Sequence, residues 1–425
     1  MILSRRAVLF LGFGIFTFLF FTARALRQPH VWNKVPQAVG LGEYVSSSPH
    51  GFSISASTNW SVAYNVSTGY GPSKGIPFAP QPHFISGIPK PHGAKYTKRL
   101  VVPRTMEEDV TWIAQELPDW DTAIYVANDP SAPLHPPKNK GHEVMIYLSY
   151  AIDFYDDLPD VSVFVHAHKN AWHNDFLHNG DTPEMVRRLN LNRVIREGYM
   201  NLRCSEGPGC PDWMHPGAIE PDEQKQEEVM LARAWGELFP DEPVPSVLAQ
   251  PCCAQFAVSK ERIRTIPRSR FIFYRDWLLQ TDLSDYIAGR IWEYLWQYVF
   301  TGQTVLCPQE SVCLCDGYGY CFGGPDGFEA FKAAQAERDE WQQYTESWDW
   351  MADNIEDAKA EGDGELDETM DLDVPEPGGK TETANEYAAK AAQVNAMLEN
   401  AIARGNDPRL RAEEVGRPWK PGDSF

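Results

Sequence analysis

The chain has 425 residues, 43% hydrophobic and 12% aromatic with 14 Trp, which supplies core for two or three domain-sized pieces. Its formal charge of -21 repels phosphate backbones and excludes a general nucleic-acid binder. Much of that charge lies near the C-terminus, so the body is less acidic than the total implies.

The first 27 residues read as a membrane anchor. After Arg5 and Arg6 the chain runs apolar for the 17 residues Ala7 to Ala23, at the lower limit of a bilayer-spanning helix and longer than a usual signal-peptide core. The rival is a cleaved signal peptide, because Ala23-Arg24-Ala25 has the small-x-small form of a cleavage site. Residues 28 to 97 are rich in Pro, Gly and Ser and describe an extended stalk. Two glycosylation acceptors, Asn59-Trp60-Ser61 and Asn65-Val66-Ser67, fall within it and point to the secretory lumen. The same context makes disulfides of the eight cysteines, whose spacing lacks the paired C-x-x-C of a zinc module.

The body is expected over 98 to 325. Arg99 to Pro103 reads as a strand, Val110 to Leu117 as a helix, Thr122 to Asn128 as a strand, and Asn139 to Tyr155 as a helix. Val161 to Val165, rich in β-branched residues, reads as a buried strand with its alternate side chains on opposite faces. Asp181 to Arg196 and Pro221 to Phe239 resemble helices. Cys252 to Ser259 follows as a buried strand, then Lys260 to Ile266, Arg270 to Gln280 and the nearly all-round apolar Ser284 to Phe300 as helices. Alternating strands and helices predict an α/β fold with a mostly parallel central sheet flanked by helices. Beyond residue 325 a helix is expected over Glu329 to Met351, disorder over the acidic Asp353 to Glu376, and an Ala-rich helix over Glu382 to Arg404, ended by Gly405.

The chemistry concentrates in VSVFVHAHKNAWHND, Val161 to Asp175. Ligand sites in open α/β sheets lie at the carboxyl ends of strands, where His166, His168 and His173 fall. Imidazoles two apart on a strand, with Asp175 nearby, suit a divalent metal, Mn or Zn, although histidines at a strand end also serve simply to orient the Trp172 loop. Glu293, in an aromatic setting, is the best acid-base candidate, because apolar surroundings raise a carboxyl pKa toward neutrality. Pairing with Arg290 is its structural alternative. Glu143 sits at a helix start, where a negative charge is favourable whether or not it works chemically, and Glu107, Glu108 and Asp109 share that position. Cys252-Cys253 is expected to be bridged rather than a reactive thiol site.

The segments VVPRTMEEDVTWI, NKGHEVMIYLSYAIDFYDDLPDVSVFVHAHKNAWHND, CCAQFAVSKERIRTIP and WEYLWQYVF, in that order from Arg99 to Gly324, resemble the fungal domain of unknown function 3431. The Gly-x-Glu at Gly141 to Glu143 and the His-x-His-x3-Trp-His from His166 to His173 carry the likeness. The layout is also similar to GT-A (Rossmann-like) glycosyltransferases. Pro103 to Asp109 stand in the place of their first-strand turn, Phe256 to Ser259 in that of a later strand, and Glu293 with Trp296 in that of an acidic helix. That likeness implies a sugar nucleotide, a glycan acceptor and Glu293, Glu143 or Asp175 as catalytic carboxylates. Arg104, Glu107, Glu108, Asp109, His142, Trp172, Asn174, Gln255 and Trp296 would then border the ligand. Where such enzymes present Asp-x-Asp, this chain has His166-Ala167-His168. The alternatives are a metal-dependent hydrolase, with a water activated by His166, His168 and His173, and a luminal glycan-binding protein that does no chemistry.

Overall fold

The computed structural model describes residues 84–91, 93–361 and 379–423. The expected anchor, most of the stalk and the acidic stretch 362–378 lie outside them. Among the described residues no helix is long and apolar enough to cross a membrane. The chain divides into two units: Met1–Ile76 with Asp282–Tyr286, of which only the latter are described, and Pro77–Thr281 with Ile287–Phe425, the body.

Five strands form one open sheet: β1 (Lys98–Arg104), β2 (Asp121–Val126), β3 (Val161–Phe164), β4 (Tyr199–Asn201) and β5 (Phe256–Ser259), in the order β2-β1-β3-β5-β4. β1 pairs in parallel with β2 and β3, but β5 runs antiparallel to both β3 and β4. The sheet is therefore mixed, and the mostly parallel sheet expected from the alternation of elements is corrected. Alternation along the chain does not encode which edge a strand joins. The reversal matters for function, because pairing Phe164 with Phe256 sets the entry of β5 beside the exit of β3.

Thirteen described helices accompany the sheet. The first four are α1 (Thr111–Glu116), α2 (Glu143–Asp153), α3 (Thr182–Arg188) and α4 (Leu191–Glu197). The helix expected over Asp181 to Arg196 is thus two, because Asn190 leaves helical geometry and caps α4, its side chain accepting from the Asn192 amide. Next come α5 (Glu228–Leu238), α6 (Lys260–Thr265), α7 (Arg268–Gln280), α8 (Asp285–Glu293) and α9 (Trp296–Thr301), the last two replacing the single helix expected to Phe300. Then follow α10 (Glu310–Tyr318), α11 (Pro325–Glu361), α12 (Gly379–Asn406) and α13 (Pro408–Glu414). β4, α10 and α13 had no clear periodic signal. Asp353 to Glu361, expected to be disordered, continues α11.

Both faces of the sheet are covered, which explains why β3 is buried throughout. One face carries Val161 and Val163 into a core with Leu100, Val102, Ala257 and Met200. Phe331 and Val394 reach the same core from α11 and α12. The opposite face is aromatic: Phe164 meets Tyr147 at 4.9 Å, Phe256 meets Trp296 at 5.1 Å, and Trp292 meets Trp296 at 4.9 Å. Gly405 lies in the last turn of α12, one residue before its end at Asn406. It allows α12 to approach so closely that a Cβ there would overlap the Gly319 carbonyl oxygen. All eight cysteines are paired, Cys204–Cys313, Cys210–Cys307, Cys252–Cys253 and Cys315–Cys321.

Candidate functional site

At the carboxyl ends of β1 and β3 a cleft of about 250 Å³ is lined by Arg104, Thr105, Glu108, His142, Glu143, His166 and His168, with Pro103, Ala127, Asn139, Ile146 and Ala167. Six residues named from the sequence as site candidates thus converge from three separate segments. A larger depression of about 410 Å³ lies at the opposite end of β1, but its Arg99 and Asp121 are spent on each other at 2.5 Å and it contains no histidine. The chemistry lies in the smaller cleft.

The turn after β1 forms one wall. Glu108 Oε2 accepts from the Thr105 amide (2.6 Å) and hydroxyl (3.0 Å). This Thr-x-x-Glu pairing was readable as a capping-box pattern. The Arg104 guanidinium donates to the carbonyls of Thr105 and Met106, stiffening the same turn. Glu107 accepts from Asn128, and Asp109 accepts from the Thr111 amide at the start of α1. Neither Glu107 nor Asp109 lines the cleft.

The histidine loop forms the second wall, held by a buried polar relay. The His166 amide donates to Gln255 Oε1 (3.1 Å), Gln255 Nε2 donates to Asn174 Oδ1 (2.9 Å), and Asn174 Nδ2 donates to Thr182 Oγ1 (3.0 Å). Thr182 Oγ1 in turn donates to the His168 carbonyl (3.0 Å), and Trp112 Nε1 pins the Ala167 carbonyl (2.9 Å). Asn174 and Gln255, expected to border a ligand, are buried and position the loop. Trp112 and Thr182 were missed because only tertiary contacts give them this role.

The three histidines do not form a single three-ligand cluster among the described residues. His166 Nε2 lies 2.9 Å from the Cys253 carbonyl, to which it donates, and among the described residues the ring nitrogens of His166, His168 and His173 are not all within 4.8 Å of one another. His173 packs on His166 at 4.8 Å, and burial, with the neighbouring His166 and Arg203, lowers its pKa to about 4, so it is neutral at physiological pH. Asp175 is 0% exposed, with its oxygens taken by the Cys204 and Ser205 amides and the Ser205 hydroxyl. Burial raises its pKa, and its place in the fold is structural, which removes it from the catalytic candidates. Trp172 is 65% exposed beside His173, with the Arg203 guanidinium over its ring. Trp296 is 1% exposed and belongs to the aromatic core, where it cannot reach a ligand in the cleft.

The third wall is the start of α2. Gly141 and His142 both hold positive φ (69° and 52°), which turns the chain sharply into Glu143. For His142 this conformation is costly, of order 1–3 kcal/mol, and such residues cluster at working sites. Gly289 of α8 lies against the His142 ring with no room for a Cβ, so α8 packs directly beneath the cleft. Glu293, one turn further along α8, is partly buried, and burial together with the Glu143 charge pushes its pKa up to about 8. Arg290 opposes that rise but hydrogen-bonds Glu227, so the expected alternative of a Glu293–Arg290 pair gives way to Glu227.

No curated protein and no solved structure matches this chain. The protein-family comparison matches residues 100–316, which hold every wall of the cleft, and the chain belongs to the family described as protein of unknown function (DUF3431).

Proposed function

We propose that the chain is a glycosyltransferase-like enzyme of the secretory pathway, which moves a sugar from a nucleotide donor to a glycan acceptor. Its apolar N-terminal segment would hold it at the membrane, with the body in the lumen. The observation that carries this reading is Glu143 on a polar cleft at the carboxyl ends of β1 and β3, with Glu293 near enough to feel its charge. In transfer with inversion the acceptor hydroxyl attacks the sugar, its proton passes to a carboxylate, and the diphosphate leaves with the bonding electrons. Glu143 borders the cleft and is the group placed to take that proton. Glu293 lies behind it and is protonated at neutral pH. Four disulfides fit an oxidising compartment.

The hydrolase alternative asks for His166, His168 and His173 around one ion, and among the described residues the three do not form such a cluster. A second reading, glycan binding without turnover, is favoured by the exposed Trp172 alone, because a sugar ring stacks on such a surface. The deciding experiment incubates the full chain with a panel of sugar nucleotides and oligosaccharide acceptors and measures release of nucleoside diphosphate. Acceptor-dependent release that falls by about 100-fold or more in Glu143→Gln supports the transferase. No release, with oligosaccharides retained by the wild type and lost by Trp172→Ala, replaces it with the binding protein.

A further inference from the structure

Outside the carboxyl pair, one feature of the cleft remains unexplained: the meeting of Glu108 and His168. His168 Nε2 stands 3.7 Å from Glu108 Oε1. That is beyond hydrogen-bond length, so the pair is not bonded, yet the two atoms face each other across the cleft mouth. We propose that they are the two protein ligands of a divalent-cation seat for Mn or Zn, with the remaining coordination positions open to the cleft.

The spacing suits this role. Imidazole nitrogen and carboxylate oxygen each bind such ions at about 2.0–2.2 Å, which sets neighbouring ligand atoms about 3.0–3.4 Å apart, so the two side chains close by about 0.3–0.7 Å to hold the ion. Their surroundings are those of oriented ligands. The second Glu108 oxygen is tied down by the Thr105 amide and hydroxyl, leaving Oε1 as the one aimed at His168. The backbone at His168 is anchored by Thr182 and Trp112. Such second-layer bonds hold ligands in place before the metal arrives. An ordinary exposed ion pair needs none of this support, and with His168 63% exposed it would be worth about 0–1 kcal/mol. The one group of three metal-type side chains that cluster among the described residues, Cys315, Cys321 and Glu414, has its two sulfurs bonded to each other. An ion with only two protein ligands takes further oxygens from its substrate, and its use in neutralising a leaving diphosphate rests on the transferase reading.

The test titrates the full chain with MnCl2 alone and follows free Mn by electron paramagnetic resonance. One equivalent should bind, with affinity reduced at least about tenfold in Glu108→Gln and in His168→Asn and unchanged in Glu414→Gln. Unchanged thermal melts of the first two variants exclude misfolding as the cause. No stoichiometric binding by the wild type, or binding unaffected by both variants, overturns the seat. Mn binding without turnover of any sugar nucleotide removes the transferase reading and leaves the seat. Turnover undiminished in excess EDTA, with no Mn binding, removes the seat and leaves the transferase.

Discussion

Replacing Glu293 by Gln should make the protein more stable, and increasingly so as the pH rises. A carboxyl ordinarily titrates near 4.5, but in the folded chain burial and the Glu143 charge hold Glu293 at about 8. Below pH 4.5 the group is protonated in both states and costs nothing. Between 4.5 and 8 the unfolded chain releases the proton while the folded chain keeps it, so stability falls as pH rises, by about 1.4 kcal/mol per unit. The loss reaches about 3 kcal/mol at pH 7 and is complete above pH 8. Gln keeps the shape and cannot ionise, so it is free of this penalty. Urea unfolding of wild type and Glu293→Gln at pH 5, 6, 7 and 8 should therefore diverge. A constant difference across that range would refute the argument, because it would mean that Glu293 is ionised in the folded state.

The opposite sign is expected at His178. This buried imidazole packs against Tyr318 and Tyr320, and burial lowers its pKa to about 3. Its neutral form supports the fold above pH 6.5, and that support is lost as the pH falls from 6.5 toward 3, so His178→Phe should shift the acid-unfolding midpoint downward in a circular-dichroism titration. At Gly405 a methyl group would overlap the Gly319 carbonyl and push α12 off the body. Gly405→Ala should cost about 1–3 kcal/mol in a thermal melt and open α12 to limited proteolysis ahead of the sheet.

Much of the body was legible locally. The runs around Leu100 to Val102, Val161 to Val165 and Cys252 to Ser259 carry strand signals in their own residues, and each holds a strand, the last only from Phe256 onward. The convergence of charge and imidazole at His166 to Asp175 was equally plain, because residue type and spacing are properties of the chain itself. Misread stretches depended on neighbours. The break at Asn190 is a single cap inside a helical pattern, and α8 and α9 part at Tyr294 and Leu295, whose apolar character continues the periodicity. Gly405 marks the end of α12 to within one residue, and its role in close packing was not legible locally.

The sequence by itself determined which side chains were available: three histidines after a buried strand, acidic residues at helix starts, a glutamate among aromatic rings and an even set of cysteines. Only the tertiary structure decided which of them meet. The antiparallel entry of β5 brings Gln255 to the His166 amide across 89 positions and makes Asn174 and Gln255 supports of the loop. The same packing buries Asp175 and Trp296, sets His173 against His166 and brings His168 opposite Glu108. Periodicity is set by neighbours a few residues apart, whereas a site is set by burial and pairing between distant segments, and no local pattern records them.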